Sequence, residues 1–256
     1  MASANFRFKQ FTVWHDRCAM KVGTDGVLLG AWCPIVIDGF QNNSERAFRI
    51  LDIGTGSGLI ALMLAQRMCT GEHTALKIRI DAIDVDAEAV EQATYNCSLS
   101  PWAKHLHVYH STLQMWKKEE ENEEDKYDLI VSNPPYFQSS LKNPDAQRAT
   151  ARHTDSLNYS ELIRHSERLL KENAILALVL PIEAEKEILS MAAIVGLSPI
   201  QITYVHTKPG KNAKRILIAL KRNNEIGTIK NSHFYIESED SPRSEEYRKL
   251  TEDFYL

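Results

Sequence analysis

Between residues 48 and 220 the chain alternates short apolar runs with stretches whose apolar residues recur every three or four positions. Residues 48–53, 78–84, 106–110, 127–132 and 174–181 read as strands. The last is almost unbroken in its apolar character, which suits a strand covered on both faces. Residues 59–68, 87–97, 159–170 and 183–195 carry helical spacing. Asp86 is placed to cap the second of these helices, and Gly196 ends the fourth. Residues 200–207 and 215–220 read as two strands joined by the loop KPGKNAK, hence a hairpin.

The flanks are less regular. Residues 6–16 (FRFKQFTVWHD) alternate aromatic and polar side chains like a short strand or hairpin. Residues 21–32 (KVGTDGVLLGAW) place two glycine-bounded turns around an apolar stretch. From Asn223 onward the chain is polar until it ends in Phe254-Tyr255-Leu256. Alternating strands and helices predict an α/β fold: one doubly wound domain with a mostly parallel sheet, closed by an antiparallel C-terminal hairpin at its edge. Residues 48–222 make that domain, residues 1–47 an extension packed near its ligand end, and residues 223–256 a tail packed on the same domain.

Composition narrows the classes of function. Of 256 residues, 43% are hydrophobic and 25% charged, which suits a globular protein with a sizeable core. The formal net charge of −4 weighs against a protein that coats nucleic acid, though it leaves room for a local basic patch. The four cysteines form no CxxC pair and no cysteine or histidine has zinc-finger spacing, so reduced thiols and no metal are expected. With no apolar leader segment and no membrane-length apolar run, the sequence reads as a soluble, cytoplasmic protein. The run KKEEENEEDK, residues 117–126, reads as a solvated loop.

The first chemical motif follows residues 48–53: Asp52, Gly54, Thr55, Gly56 and Gly58, at a strand-to-helix turn. Ligands bind at that end of the strands in open α/β sheets. The dinucleotide fingerprint GxGxxG would need a glycine at Leu59; here the third glycine comes one residue early. The DxGxGxG form resembles the cofactor motif of class I methyltransferases. That cofactor, S-adenosylmethionine, has no phosphate and carries a sulfonium cation, so a carboxylate at Asp52 is electrostatically suitable. Asp84, followed by Val85, ends the next strand, where a carboxylate accepts ribose hydroxyls; the capping role falls to Asp86. Methyltransferases of this class place an acid after the third strand to hold the cofactor's adenine amino group. This chain has His110-Ser111-Thr112-Leu113 there, which leaves Thr112 or a backbone group for the contact.

The second motif, Asn133-Pro134-Pro135-Tyr136, ends the fourth strand. It resembles the (D/N/S)PP(Y/F/W) signature of methyltransferases that act on the amino nitrogens of adenine, cytosine, guanine or glutamine amide. An exocyclic amine is a poor nucleophile because its lone pair is delocalised into the ring. Two acceptors, the Asn133 side-chain oxygen and the Pro134 carbonyl, would stabilise the charge that develops on nitrogen. The prolines restrict the turn, and Tyr136 offers a face on which a base stacks.

Three more stretches sharpen the resemblance. Phe8-Lys9-Gln10-Phe11, the block from His15 to Gly26 and the segment Ala151-Arg152-His153 are similar to the bacterial tRNA (valine) adenine-N6 methyltransferase family. So is the C-terminus from Glu246-Tyr247 to Leu256. That family modifies the adenine just 3′ of the anticodon, position 37 of tRNA1(Val). The resemblance implies a Rossmann-like class I methyltransferase fold, S-adenosylmethionine as cofactor, Thr24 and Asp25 near it, an anticodon loop as substrate, and a monomer. Candidate RNA contacts are Lys9, Arg17, Arg148, Arg152, Lys208, Lys211, Lys214 and Arg215. Alternatives are a glutamine methyltransferase acting on a release factor and a base-amine methyltransferase of ribosomal RNA or DNA.

Overall fold

The computed structural model describes residues 4–18, 20–37, 46–70, 76–116, 122–135, 157–222 and 227–256. Two short strands, β1 (Asn5–Arg7) and β2 (Thr12–Trp14), form an antiparallel hairpin, followed by helix α1 (Thr24–Trp32). Alternation then sets in: β3 (Phe48–Ile53), α2 (Leu59–Cys69), β4 (Ile78–Asp84), α3 (Ala87–Ser98), β5 (Leu106–His110) and β6 (Tyr127–Ser132). After these come α4 (Tyr159–Leu169), β7 (Leu170–Pro181), α5 (Glu185–Ile194), β8 (Leu197–His206) and β9 (Ala213–Arg222). β10 (Lys230–Tyr235) and α6 (Glu245–Thr251) complete the chain.

Eight strands make one sheet in the order β10-β8-β9-β7-β6-β3-β4-β5. Every neighbouring pair is parallel except the two that involve β9. The chain runs outward from β3 through β4 to β5, then returns to place β6 on the other side of β3. The strand order therefore reverses between β3 and β6, the kind of point at which open α/β sheets bind ligands.

Burial explains the apolar runs. In β7, Ile175, Ala177 and Val179 face one core, while Leu176, Leu178 and Leu180 face another. β9 divides in the same way, with Leu217 and Ala219 on the first face and Ile216, Ile218 and Leu220 on the second. Side chains alternate along a strand, so one covered on both faces has no polar side. The first core is closed by α1, α2, α6 and the β1–β2 hairpin, and the second by α4 and α5.

Two expectations are corrected. Residues 174–181 are only the latter part of β7: α4 ends at Leu169, and Leu170 is already paired with Tyr127, with no loop between helix and strand. Asn173, at φ 61°, accompanies a shift in register there. Second, the C-terminal hairpin is not the sheet edge. β9 lies inside the sheet, and β10 covers β8 in parallel. The polar tail after Asn223, expected to pack on the same domain, contains that edge strand and helix α6. In β10 only Phe234 is buried, so the strand has almost no apolar pattern to read.

Candidate active site

Ser132 and Ile53 are opposed in register where β6 and β3 end, and the Ser132 hydroxyl donates to the Ile53 carbonyl at 2.8 Å. The glycine turn leaves β3 from this point and Asn133-Pro134-Pro135 leaves β6. The two motifs are thereby brought side by side. Together they line two adjoining cavities, of about 370 and 420 Å³. Gly54, Gly56, Met20, Asn133, Pro134 and Pro135 border both.

The smaller cavity lies between the glycine turn and the start of α1. Thr24, Asp25 and Lys21 face Thr55 and Ser57 across it. The larger lies over the ends of β4 and β5, with Asp84 and Asp86 on one wall and Ile83, Val85 and Leu113 supplying apolar surface. Asp84 Oδ2 accepts the Gly56 N–H at 2.8 Å and Oδ1 accepts the Asp86 N–H at 3.0 Å. These bonds fix the carboxylate plane while leaving each oxygen further acceptor capacity. Asp86 caps α3, its side chain accepting the Glu88 N–H at 3.0 Å.

Gly54 and Gly56 adopt φ of 69° and 55°, and a Cβ on either would meet nothing within 4 Å. Their missing side chains leave open a cradle for a ligand. Gly58, expected at the cofactor, serves a different purpose. It is the left-handed N-cap of α2, and a Cβ there would approach Ala93 Cβ at 3.4 Å and Cys97 Sγ at 3.5 Å, so its role is to let α3 pack closely.

Asp52 also stands apart from the cavities. It is fully buried beneath the turn and lines neither cavity. Oδ2 accepts the Thr55 hydroxyl at 2.6 Å and the Ala61 N–H at 3.2 Å, tying the turn to the first residues of α2. Burial is the main cause that pushes its carboxyl up to about 7, against the opposing pull of those hydrogen bonds. Thr112 also turns away: its hydroxyl accepts the Met115 N–H at 3.1 Å, and the cavity wall there is Ser111, Leu113 and Gln114.

Several lining residues carried no motif. Met20 and Lys21 lie within the N-terminal block whose signal pointed only to Thr24 and Asp25, and Cys18 borders the larger cavity. Burial, then the neighbouring Asp84, Asp86 and Asp16 carboxylates, push the Cys18 thiol up to about 11. Asn96 acts from behind. Its amide nitrogen donates to the Ser57 and Trp14 carbonyls at 2.8 Å, and its oxygen accepts the Trp14 N–H at 3.0 Å. One α3 side chain thus clamps the N-terminal hairpin to the glycine turn.

The expected RNA contacts divide. Lys208, Lys211 and Lys214 are exposed on the β8–β9 hairpin, at the cavity end of the sheet. Arg215 instead donates through Nε to Asp25 at 3.0 Å and so braces the smaller cavity's wall. Arg17 pairs with Glu91 at 3.4 Å on the surface. The Lys9 ammonium donates to the Glu252 carbonyl, next to Asp253, whose carbonyl accepts from Gln66 in the second half of α2. Lys9 is therefore at the end of α2 remote from the cavities. Tyr136, Arg148 and Arg152 lie outside the described residues. Among the described residues no cluster of histidine, cysteine or carboxylate side chains is arranged to hold a metal ion, and no helix is long and apolar enough to cross a membrane.

A mostly parallel sheet with two ligand-sized cavities between a DxGxGxG turn and an NPP turn defines a methyltransferase of the Rossmann-like α/β type. Residues 34–196 match the family described as the methyltransferase small domain. A tRNA1(Val) (adenine(37)-N6)-methyltransferase of Parabacteroides distasonis is 47% identical over 256 residues, spanning 100% of this chain and 99% of that protein. One of the same name from Aeromonas hydrophila is 43% identical, over 99% of this chain and 98% of its own. The chain belongs to this tRNA1(Val) (adenine(37)-N6)-methyltransferase family. Its backbone also resembles a predicted O-methyltransferase of Agrobacterium tumefaciens, with a TM-score of 0.64 at 18% identity over 90% of this chain and 96% of that one, a likeness of fold alone.

Proposed function

We propose that this enzyme moves a methyl group from S-adenosylmethionine to the N6 amine of an adenine in tRNA, at position 37 of tRNA1(Val), the substrate its relatives are named for. The observation that carries the proposal is the sharing of one wall: Asn133, Pro134 and Pro135 border both cavities together with Gly54 and Gly56.

The residues present fit the cofactor. Gly54 and Gly56 leave the cradle free of side chains, and Asp84 keeps acceptor capacity for ribose hydroxyls. Ile83, Val85 and Leu113 offer apolar contact to an adenine ring. Lys21 and Asp25 bring one charge of each sign to the smaller cavity, which suits a zwitterionic amino-acid end. Bound there, S-adenosylmethionine supplies an electrophilic methyl group on a sulfonium sulfur.

The chain's own task is to present the amine. The Asn133 side-chain oxygen and the Pro134 carbonyl each accept one N–H of the target amine, which turns the nitrogen lone pair toward the methyl group. As nitrogen becomes positive in the transition state, both acceptors stabilise it more strongly than in the ground state. The cavity carboxylates already have partners: Asp25 faces Arg215, Asp84 holds Gly56 and Asp86, and Asp86 caps α3. Once the amine has become cationic its proton leaves readily to water, so no strong general base is required, and positioning and these two acceptors carry the rate. By the motif's resemblance, Tyr136 would offer a face for the base to stack on. A loop adenine suits such a pocket because no duplex has to be opened.

The test is methyl transfer from labelled cofactor to tRNA lacking the modification, followed by nucleoside analysis. N6-methyladenosine at the base 3′ of the anticodon is the expected product. Another nucleoside, or label in a release-factor glutamine, rejects the assignment.

A further inference from the structure

Four rings form a ladder across the outer strands of the sheet, in the order Tyr204 (β8), His233 (β10), His206 (β8), Tyr235 (β10). Tyr204 and His233 stack at 5.3 Å, His206 and His233 meet at 5.1 Å, and His206 and Tyr235 stack at 4.8 Å. One end is closed by α5, where the Tyr204 hydroxyl donates to Glu185 at 2.6 Å. The other end, at Tyr235, reaches the rim of the sheet on the side of the cavities, because β8 and β10 run parallel to β6 and β3. Three strand spacings separate β8 from β6, about 15 Å, and β10 lies one spacing further out.

Hydrogen bonds join the two imidazoles to the hairpin. His206 Nδ1 is 2.7 Å from the Lys211 carbonyl, and a carbonyl only accepts, so this nitrogen carries the hydrogen. His206 Nε2 lies 2.9 Å from His233 Nδ1, and one of the two donates to the other. The remaining ring nitrogen of the pair, His233 Nε2, belongs to an exposed residue, and either as N–H or as a lone pair it can bond a hydroxyl, which both donates and accepts. The same chain of bonds pins the hairpin at Lys211, so the ladder fixes the backbone that carries Lys208, Lys211 and Lys214. Glu237, Glu239 and Asp240 share a concavity with Lys208, which directs a phosphate backbone away from that flank and toward Lys211 and Lys214.

We propose that this ladder and the lysine hairpin form a second RNA contact, which grips the stem next to the target loop through ribose hydroxyls at His233, stacking at Tyr235 and phosphates at Lys211 and Lys214. It rests on the reading of the substrate as tRNA. Aromatic rings and an exposed imidazole edge beside lysines match RNA chemistry, and the span to the NPP turn is within reach of one stem-loop.

The experiment compares His233→Ala and Lys211→Glu with the unaltered enzyme. Binding is measured by fluorescence anisotropy on two RNAs: a hairpin comprising the anticodon stem and loop, and the loop nucleotides alone as a single strand. For each variant we expect hairpin affinity to fall about tenfold with the short strand little changed. We also expect an unchanged melting temperature and an unchanged dissociation constant for S-adenosylmethionine. Unaltered hairpin affinity, or an equal loss on both RNAs, overturns the proposal. If His233→Ala lowers the melting temperature, His233→Phe, which keeps a ring in the ladder but has no polar edge, is read instead by the same criterion. Failure of the substrate reading would show separately, as absence of methyl transfer to tRNA by the unaltered enzyme.

Discussion

The hydroxyl of Ser132 donates to the carbonyl of Ile53 at 2.8 Å, and through that bond the last residues of β6 and β3 are held in register where the chain leaves both strands. The motif that would cradle the cofactor and the motif that would hold the amine are fixed to each other before either ligand arrives. Catalysis by positioning requires such preorganisation, since the acceptors must already point at the place where charge develops.

Asn133 is the side chain on which the proposed chemistry rests. Asn133→Ala should bind S-adenosylmethionine with near-normal affinity in calorimetry yet lose about 10²–10³-fold in kcat, the scale for removing one preorganised partner of transition-state charge. Asn133→Asp, which keeps an acceptor oxygen, should retain a larger share of the rate. Full turnover by the alanine variant would sink the mechanism.

Gly54 and Gly58 both have left-handed backbones but should fail differently when changed to alanine. Strain of about 1–2 kcal/mol is common to both. At Gly54 the new methyl enters open space in the cradle, so the larger loss should be in cofactor affinity. At Gly58 it presses on Ala93 and Cys97, so the larger loss should be in stability, as a lower melting temperature. Calorimetry and thermal melting on the two variants separate these outcomes.

Asp52 makes stability depend on pH in a definite direction. Its folded value of about 7 lies above the ordinary 3.8, so the folded state holds the proton more tightly. The contribution is therefore fully present below about pH 4 and is lost as pH rises through about 7. Asp52→Asn keeps an acceptor for Thr55 or Ala61 without a charge to bury. Between pH 5 and 8 the unaltered enzyme should lose a few kcal/mol more stability than the variant, on the order of the shift itself. Parallel denaturation curves for the two proteins across that range would contradict this.

The cations of the last hairpin should separate into two classes. Neutralising Lys211 and Lys214 together should weaken tRNA binding and reduce the slope of log affinity against log salt by roughly 1.5–2, with little further change when Lys208 is neutralised as well. Arg215→Ala should leave that slope nearly intact and instead weaken S-adenosylmethionine, because Arg215 holds Asp25 in the cavity wall. Anisotropy titrations at several salt concentrations, with calorimetry on the cofactor, measure both.

Much of the scaffold is legible in the residues themselves. Strands β3 to β6 have the bounds their apolar runs suggest, and Asp86 caps α3 as expected. These signals are local: side-chain alternation, helical spacing and glycine or proline at a turn act within a few residues of the chain. The two motifs announce themselves for the same reason, since backbone freedom at Gly54 and backbone restriction at Pro134 are properties of the residues themselves.

What the sequence could not determine is which side chains meet. Asp52 and Gly58 belong to the glycine motif and Thr112 follows the third strand, yet their visible contacts hold the turn, pack a helix and cap a turn, respectively. Arg215 reads as one more cation of a basic loop until Asp25, remote in sequence, comes within 3.0 Å of it. β10 escapes notice because an edge strand with one buried side chain needs only backbone partners, which β8 provides. Local patterns report what a segment prefers by itself. Ion pairs, clamps such as Asn96 and edge pairing depend on neighbours brought from afar, and only the folded chain supplies those.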